Sequence, residues 1–265
     1  MIDPWNPSTF SHELMQALEC NAELIESFFR EESKLMDEHL NSSPYESLKP
    51  NRFHFEFSNF KENTITEILK CSRIRVWHYT RLTDFEVNEM QNQLVLSNLD
   101  YLKLRLEFLV ANDLLTDEES QLVFEQSPFH RQGPNRSGML WTSTTPIPIS
   151  DSGVEPLLQN WGGESAYFWL RNEQVKAKLT KIGLPRVIEI EVELTDGLNA
   201  FKVSETILQA WAKKLGLSIA PSGTDLSIKS SIVKAKVVNV HTKGENSFSV
   251  LAKSYPDNVH NLLTK

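Results

Sequence analysis

The segment from residue 73 to residue 86 predicts a β-strand that runs directly into a helix. Side chains in a strand point alternately to its two faces, so Trp77 and His78 would lie on opposite faces. Thr83 and Glu86 have the Thr-x-x-Glu spacing of a capping box, in which each side chain hydrogen-bonds to the backbone of the other residue. The polar side chains at the end of the strand would therefore be positioned by the strand before them and the helix after them, which makes them a candidate site.

The arrangement of helical and strand patterns is typical of an α+β protein. Apolar residues recur with helical spacing near the N-terminus, which predicts a helical extension over residues 1–70. Residues 71–265 would form the main domain, interrupted by a helical insertion over residues 83–126 that contains two capping boxes. The other predicted strands are Met139–Thr144, Ala166–Arg171, Val187–Leu194 and Ile232–His241. Because this spacing departs from regular βαβ alternation, we expect a small mixed or antiparallel sheet as the core.

The predicted strand Val187–Leu194 carries a carboxylate at every second position. Its apolar side chains would face inward, and Glu189 and Glu191 would face outward. Lys234 and Lys236 share one face of the predicted last strand. Opposite charges on neighbouring strands attract, so we expect cross-strand ion pairs here rather than a paired-carboxylate active site.

Composition argues against several classes of protein. The 265 residues carry a net charge of −8, which disfavours general affinity for nucleic-acid phosphate but leaves a local basic groove open. The two cysteines lack metal-ligand spacing and are too few for a disulfide framework, so we expect no metal and a reducing, cytoplasmic location. No stretch approaches the roughly 20 apolar residues of a membrane span, and no secretory signal is predicted. We therefore expect no membrane association.

Four consecutive side chains at the end of the first strand could carry chemistry. His78, Tyr79, Thr80 and Arg81 supply an imidazole, a phenol, a hydroxyl and a guanidinium. Together these groups can hydrogen-bond a ribose and pair with a phosphate. The structural alternative is a core histidine whose ring nitrogens are satisfied by neighbouring groups.

Two later segments place polar groups beside aromatic rings. A predicted strand contains Trp141 and ends in hydroxyls, including Ser143 and Thr144. Further on, two glycines precede Glu164, and Tyr167 follows it, so a carboxylate and a flat ring could meet there. Ordinary explanations exist for both segments, namely a structural hydroxyl-rich strand and a tight turn into an aromatic core strand.

Taken together, His78-Tyr79-Thr80, the Trp141–Thr144 strand and Tyr167 resemble the ADP-ribosyltransferase fold in its His-x-Thr branch. The resemblance runs from about residue 71 to the C-terminus and implies NAD as the substrate. It implies that His78 and Thr80 hold the ribose and nicotinamide and that Tyr167 stacks on the nicotinamide ring. The implied activity is transfer of ADP-ribose to a macromolecule, or hydrolysis of NAD, in a toxin or defence setting.

The catalytic carboxylate departs from the family pattern. The family places a glutamate at the start of a late strand, whereas Ile232–His241 lacks one there and only Asp225 lies a little upstream. Glu164 is the better candidate by local chemistry, which gives a catalytic set of Glu164, His78 and Tyr167. The rival hypothesis is a non-catalytic protein-binding or regulatory protein of a defence or toxin–antitoxin system, with a protein partner in place of NAD.

Overall fold

The computed structural model describes residues 1–41, 49–70, 72–194, 197–220, 222–229 and 235–254. The helices in these ranges are α1 (His12–Cys20), α2 (Ala22–Leu40), α3 (His54–Phe60), α4 (Thr66–Leu69), α5 (Asp84–Asn92), α6 (Leu99–Ala111), α7 (Asp117–Glu125), α8 (Phe129–Arg136), α9 (Glu155–Gln159), α10 (Glu164–Tyr167), α11 (Glu173–Leu179), α12 (Gly197–Lys214) and α13 (Asn246–Leu251). The strands are β1 (Arg73–Leu82), β2 (Met139–Ser143), β3 (Leu184–Glu193), β4 (Asp225–Lys229) and β5 (Ala235–Thr242). The predicted α+β class is confirmed.

The chain forms two compact units. Unit 1 comprises Met1–Arg75 and Glu193–Thr224, and unit 2 comprises Val76–Val192 and Asp225–Lys265. The N-terminal helices that the sequence predicts as an extension thus share a unit with α12, which comes from a distant part of the chain.

Unit 1 is built from helices. The hydroxyl of Ser11 accepts a hydrogen bond from the backbone N–H of Leu14 at 3.2 Å and thereby caps α1. A π-helical turn, Lys61–Ile65, joins α3 to α4. α12 packs against α4 and α2, so the long-range contacts of this unit come mainly from one helix.

The sheet has the strand order β4-β2-β1-β3-β5. β2 runs antiparallel to β1 and to β4, and β3 runs antiparallel to β5. Almost all of these residues belong to unit 2. The helices α6, α7 and α11 of the same unit enclose a separate apolar cluster around Trp161, which is fully buried.

Several local predictions are confirmed. Both capping boxes form, one at Thr83 and Glu86 and the other at Thr116 and Glu119. The predicted cross-strand attraction is present between Glu191 and Lys236, which lie opposite each other and whose charged groups are 3.2 Å apart. Lys234 lies outside the described residues.

Two local predictions are wrong. Residues 166–171 do not form a strand, because α10 begins at Glu164 immediately after the positive-φ residue Gly163. Glu189 does not face outward but is buried, with its carboxylate 3.5 Å from the imidazole of His241. β3 lies inside the sheet and both of its faces are largely covered, so alternation alone does not identify a solvent-facing side.

None of the helices in the described ranges is long and apolar enough to cross a bilayer.

Candidate functional site

The strands β1 and β2 separate at the predicted site. They pair where Trp77 lies opposite Ser143. A continuing antiparallel ladder would bring Arg81 opposite Met139, since each strand advances as the other retreats. Instead, Arg81 bridges to Trp161 and Met139 bridges to Ser97. We call this divergence, formed by residues 77–81 and 139–143, the β1–β2 fork.

The side chain of His78 spans the beginning of the fork. Its Nδ1 lies 2.8 Å from the carbonyl oxygen of Trp141. A carbonyl oxygen only accepts hydrogen bonds, so Nδ1 carries the proton and donates it. Burial lowers the pKa of His78, the bond to Trp141 opposes this change, and the charge of Arg105 adds to it. The ring is therefore neutral near pH 7, and Nε2 presents a lone pair.

Three polar groups at the fork have no partner in the described part of the chain. One is Nε2 of His78, and the second is the hydroxyl of Thr80, a residue that is buried on the same face of β1. The third is the hydroxyl of Thr142, which lies on the His78 face because its neighbour Ser143 pairs with Trp77. Buried polar groups are normally hydrogen-bonded, so the enclosed hydroxyl of Thr142 is unusual, whereas the side chain of His78 is only partly buried.

A buried ion pair lies close to this cluster. Nε of Arg105 on α6 donates to a carboxylate oxygen of Glu86 on α5 at 2.6 Å, and the two side chains are 10% and 5% exposed. The indole Nε1 of Trp161 donates to the same carboxylate at 2.9 Å, and the guanidinium lies 4.5 Å from the Trp161 ring centroid. The network thus holds the Trp161 segment, which bridges to β1, against α5 and α6.

The surroundings of Glu86 favour its charged carboxylate. Burial alone would raise the pKa of Glu86, but the charge of Arg105 and the hydrogen bonds from Thr83 and Trp161 outweigh it and lower the pKa. Nη2 of Arg105 is buried and lacks a hydrogen-bond partner among the described residues. A positive group with an unused donor therefore lies near His78 and contributes to lowering its pKa.

The neighbours of His78 and Thr80 on β1 are occupied by structural hydrogen bonds. The buried hydroxyl of Tyr79 accepts the backbone N–H of Ile147 at 2.6 Å, and burial raises the pKa of Tyr79. Nε of Arg81 donates to the carbonyl of Ile182 at 2.7 Å. Both side chains lie on the face opposite His78, where these hydrogen bonds help to fix the strand.

The predicted residues of β2 divide between backbone and side-chain roles. Trp141 contributes its carbonyl to His78, while its own indole ring is 51% exposed. Ser143 is buried, accepts a hydrogen bond from the backbone of Thr145 at 3.4 Å and shares the Trp77 face. Thr144 is fully buried just after the strand.

Glu164 and Tyr167 form a second group on α10. The carboxylate of Glu164 makes an ion pair with Arg136 of α8, and the two side chains are 43% and 26% exposed. Tyr167 packs against the Trp161 cluster, and burial together with the charge of Glu164 raises its pKa to about 12. No hydrogen bond or ion pair within the described ranges joins this group to His78.

The two groups are nevertheless linked through the chain. Glu164 follows Trp161 by three residues, so its Cα lies within about 11 Å of the Trp161 Cα even for extended backbone. Trp161 in turn bridges to Arg81 at the fork. Asp225, the other carboxylate considered from the sequence, begins β4 opposite Ser143.

Sequence reasoning missed two contributors, Thr142 and the Glu86–Arg105 pair. The capping box identified Glu86 only as a helix cap. The sequence around Arg105 does not predict its ion pair with Glu86. Helical periodicity indicates which face of a helix is apolar, but not which polar side chains on different helices form contacts.

A cavity of about 380 Å³ lies beside the bridge between Ser97 and Met139. It is lined by residues 93–96, Asn98, Gly138, Ile228, Lys229 and Ala235. The predicted site residues are not among them. In the described ranges, no group of three His, Cys, Asp or Glu side chains could hold a metal ion.

Comparison of the chain with protein-family models, curated proteins and solved structures gave no match. Function must therefore be inferred from the residues themselves.

Proposed function

We propose that the β1–β2 fork binds NAD and that the protein cleaves the bond between nicotinamide and ribose. The ADP-ribose would pass to a macromolecule or to water, in a toxin or defence setting. The supporting observation is the cluster of polar groups without protein partners, namely His78 Nε2 and the hydroxyls of Thr80 and Thr142. A ligand rich in hydroxyls would satisfy these groups, and leaving them unsatisfied costs about 1–3 kcal/mol for each buried group.

The chemistry at the fork suits a ribose. A neutral His78 can accept a hydrogen bond at Nε2 from a ribose hydroxyl, while Nδ1 stays bonded to the Trp141 carbonyl. Thr80 can donate or accept next to it. When the glycosidic bond breaks, nicotinamide leaves with the bonding electron pair, and the acceptor adds to the ribose carbon and loses a proton. Positive charge develops on the ribose during this step, and Glu164 is our candidate to stabilise it.

The test compares two histidines that each use one ring nitrogen on a backbone carbonyl. His78→Ala should weaken NAD binding by about 1–3 kcal/mol, because the ribose hydrogen bond is lost. His130→Ala is the matched control, since the exposed His130 on α8 contacts the Phe124 carbonyl at 2.9 Å. Calorimetry gives the affinities, and nicotinamide release gives turnover. The proposal fails if the parent protein binds no NAD, or if both variants bind it as the parent does.

One observation favours the non-catalytic alternative. Glu164 is already paired with Arg136, which offsets the negative charge that cleavage would need. A regulatory protein that binds NAD or a protein partner without chemistry would fit this pairing. A parent protein whose melting temperature rises with NAD, yet which releases no nicotinamide, would support this alternative over the enzyme.

A further inference from the structure

Arginines and aromatic rings alternate on one surface of unit 2. The guanidinium of Arg131 lies 5.7 Å from the ring centroid of Trp169, and that of Arg136 lies 5.2 Å from the ring centroid of Phe168. Arg171 follows the two aromatic residues in the chain. We call these five residues the aromatic–arginine surface. α8 supplies its first two arginines, and the segment after α10 supplies the rest.

The rings on this surface are accessible to a partner. Phe168 is 47% exposed, and Trp169 beside it is half-buried. Arg131 and Arg171 are exposed, and neither makes an ion pair with another described residue. The exposed Phe168 ring and the unpaired guanidinium of Arg131, which lies on the Trp169 ring, are therefore both open to solvent, and Arg171 adds a second exposed guanidinium two residues after Trp169 in the chain.

The arginines of this surface lie in short segments without acidic residues. Residues 126–138 and 165–172 contain three arginines and no aspartate or glutamate, and Glu125, Glu164 and Glu173 directly border these segments. Among the described residues, the carboxylate paired with this surface is Glu164, on Arg136. Two of the three arginines thus keep their charge available for an anion.

We propose that the aromatic–arginine surface binds single-stranded nucleic acid. Each nucleotide joins a flat base to an anionic phosphate, which matches a ring beside a guanidinium. A duplex keeps its bases stacked inside, so only an unpaired strand can place a base on Phe168 or Trp169. An acidic peptide would use the guanidinium groups but would leave the exposed rings without a stacking partner.

This binding does not depend on the NAD chemistry proposed above. If both proposals hold, the bound strand becomes our candidate for the macromolecular acceptor of ADP-ribose, and that identification rests on the proposed function. The binding is measured without NAD, so its failure is distinct from the failure of NAD cleavage.

The experiment uses fluorescence anisotropy of the full chain with labelled single strands of about 12 nucleotides, as RNA and as DNA, and with the matching duplex. Phe168→Ala and Arg131→Ala should each weaken single-strand binding about fivefold or more, because a stacking surface or a phosphate contact is lost. Phe55→Ala and Arg52→Ala are the matched controls, since Phe55 is 82% exposed and Arg52 is exposed in unit 1. These control variants should bind as the parent does.

Salt separates the two kinds of contact. Raising salt from about 50 to 200 mM should weaken binding, and Arg131→Ala should reduce this dependence while Phe168→Ala leaves it unchanged. Circular dichroism confirms that each variant is folded. Equal affinity for duplex and single strand, or full affinity in Phe168→Ala, overturns the proposal. So does competition by poly-glutamate at equal charge concentration, which would assign the surface to an acidic protein.

Discussion

At the residue scale, His78 acquires its properties from one hydrogen bond and from its surroundings. The Trp141 carbonyl fixes which nitrogen carries the proton, and burial keeps the ring neutral. A histidine on a solvent-exposed loop would have neither constraint. The same imidazole can therefore serve as a pure acceptor toward a ligand without any change in sequence.

The lowered pKa of His78 makes stability depend on pH in a definite direction. The unfolded chain takes up the proton near the ordinary value of 6.5, before the folded protein does. The contribution of His78 is therefore complete above pH 6.5 and is lost as pH falls from there toward the folded pKa. Urea unfolding between about pH 7.5 and 5 should show a steeper loss of stability for the parent than for His78→Asn. Parallel curves for the two proteins would contradict this expectation.

The candidate catalytic role of Glu164 gives a second prediction. Glu164→Gln keeps the size of the side chain and removes its charge, so NAD binding should persist while nicotinamide release falls by about 10²-fold or more. Glu173→Gln is the control, since Glu173 is an exposed glutamate that pairs with Lys176 on α11. Steady-state release and calorimetry separate turnover from binding. Parental turnover in Glu164→Gln would shift the role to Asp225 or favour the non-catalytic alternative.

At the element scale, Glu86 is both a helix-capping residue and a member of a buried ion pair. It closes the capping box that begins α5, and it also receives the guanidinium of Arg105 from α6 and the indole of Trp161. One carboxylate thus joins two helices and the segment that bridges to β1. A substitution of Glu86 should therefore weaken the packing of α5, α6 and the Trp161 segment against one another.

We expect Glu86→Gln to lower the free energy of unfolding by about 3–5 kcal/mol, because it leaves the buried Arg105 charge without its counter-ion. Glu119→Gln changes the same capping position on α7, where the acid is less buried, and should cost only about 1 kcal/mol. Chemical denaturation measures both.

A double variant checks the origin of this cost. Arg105→Met should be less destabilising in the Glu86→Gln background than in the parent, since the unpaired charge is then removed. Strictly additive costs would show that Glu86 and Arg105 are not energetically coupled.

Sequence patterns identified some elements well and others badly, for physical reasons. The alternation of β1 and the capping box at Thr83 depend on neighbours in the chain, so they could be predicted. α10 could not, because its Ala-Tyr-Phe-Trp run has β-propensity and the short helix depends on the tight turn at Gly163 and on burial of Ala166. In a segment as short as α10, tertiary packing outweighs the intrinsic β-propensity of its residues.

At the scale of the whole molecule, the candidate site also combines features that the sequence predicts with features that depend on tertiary packing. His78 and Thr80 could be placed on one face from their spacing alone. Thr142 joins them because Ser143 pairs with Trp77, and Arg105 joins them because a helix from the insertion packs nearby. Neither contact leaves a periodic signal in the sequence. The net charge of −8 likewise does not predict where positively charged side chains cluster, such as the arginines around Arg131.

The division into units has a consequence for inheritance. The chain passes from one unit to the other after residues 75, 192 and 224, so each unit is encoded by two separate stretches of gene. A recombination event with a single breakpoint would carry away part of one unit, for example the helices before residue 75 without α12, which packs on α4. Such a fragment would expose the apolar faces that these helices share. The two units are therefore expected to be duplicated, lost or transferred together, as one heritable block.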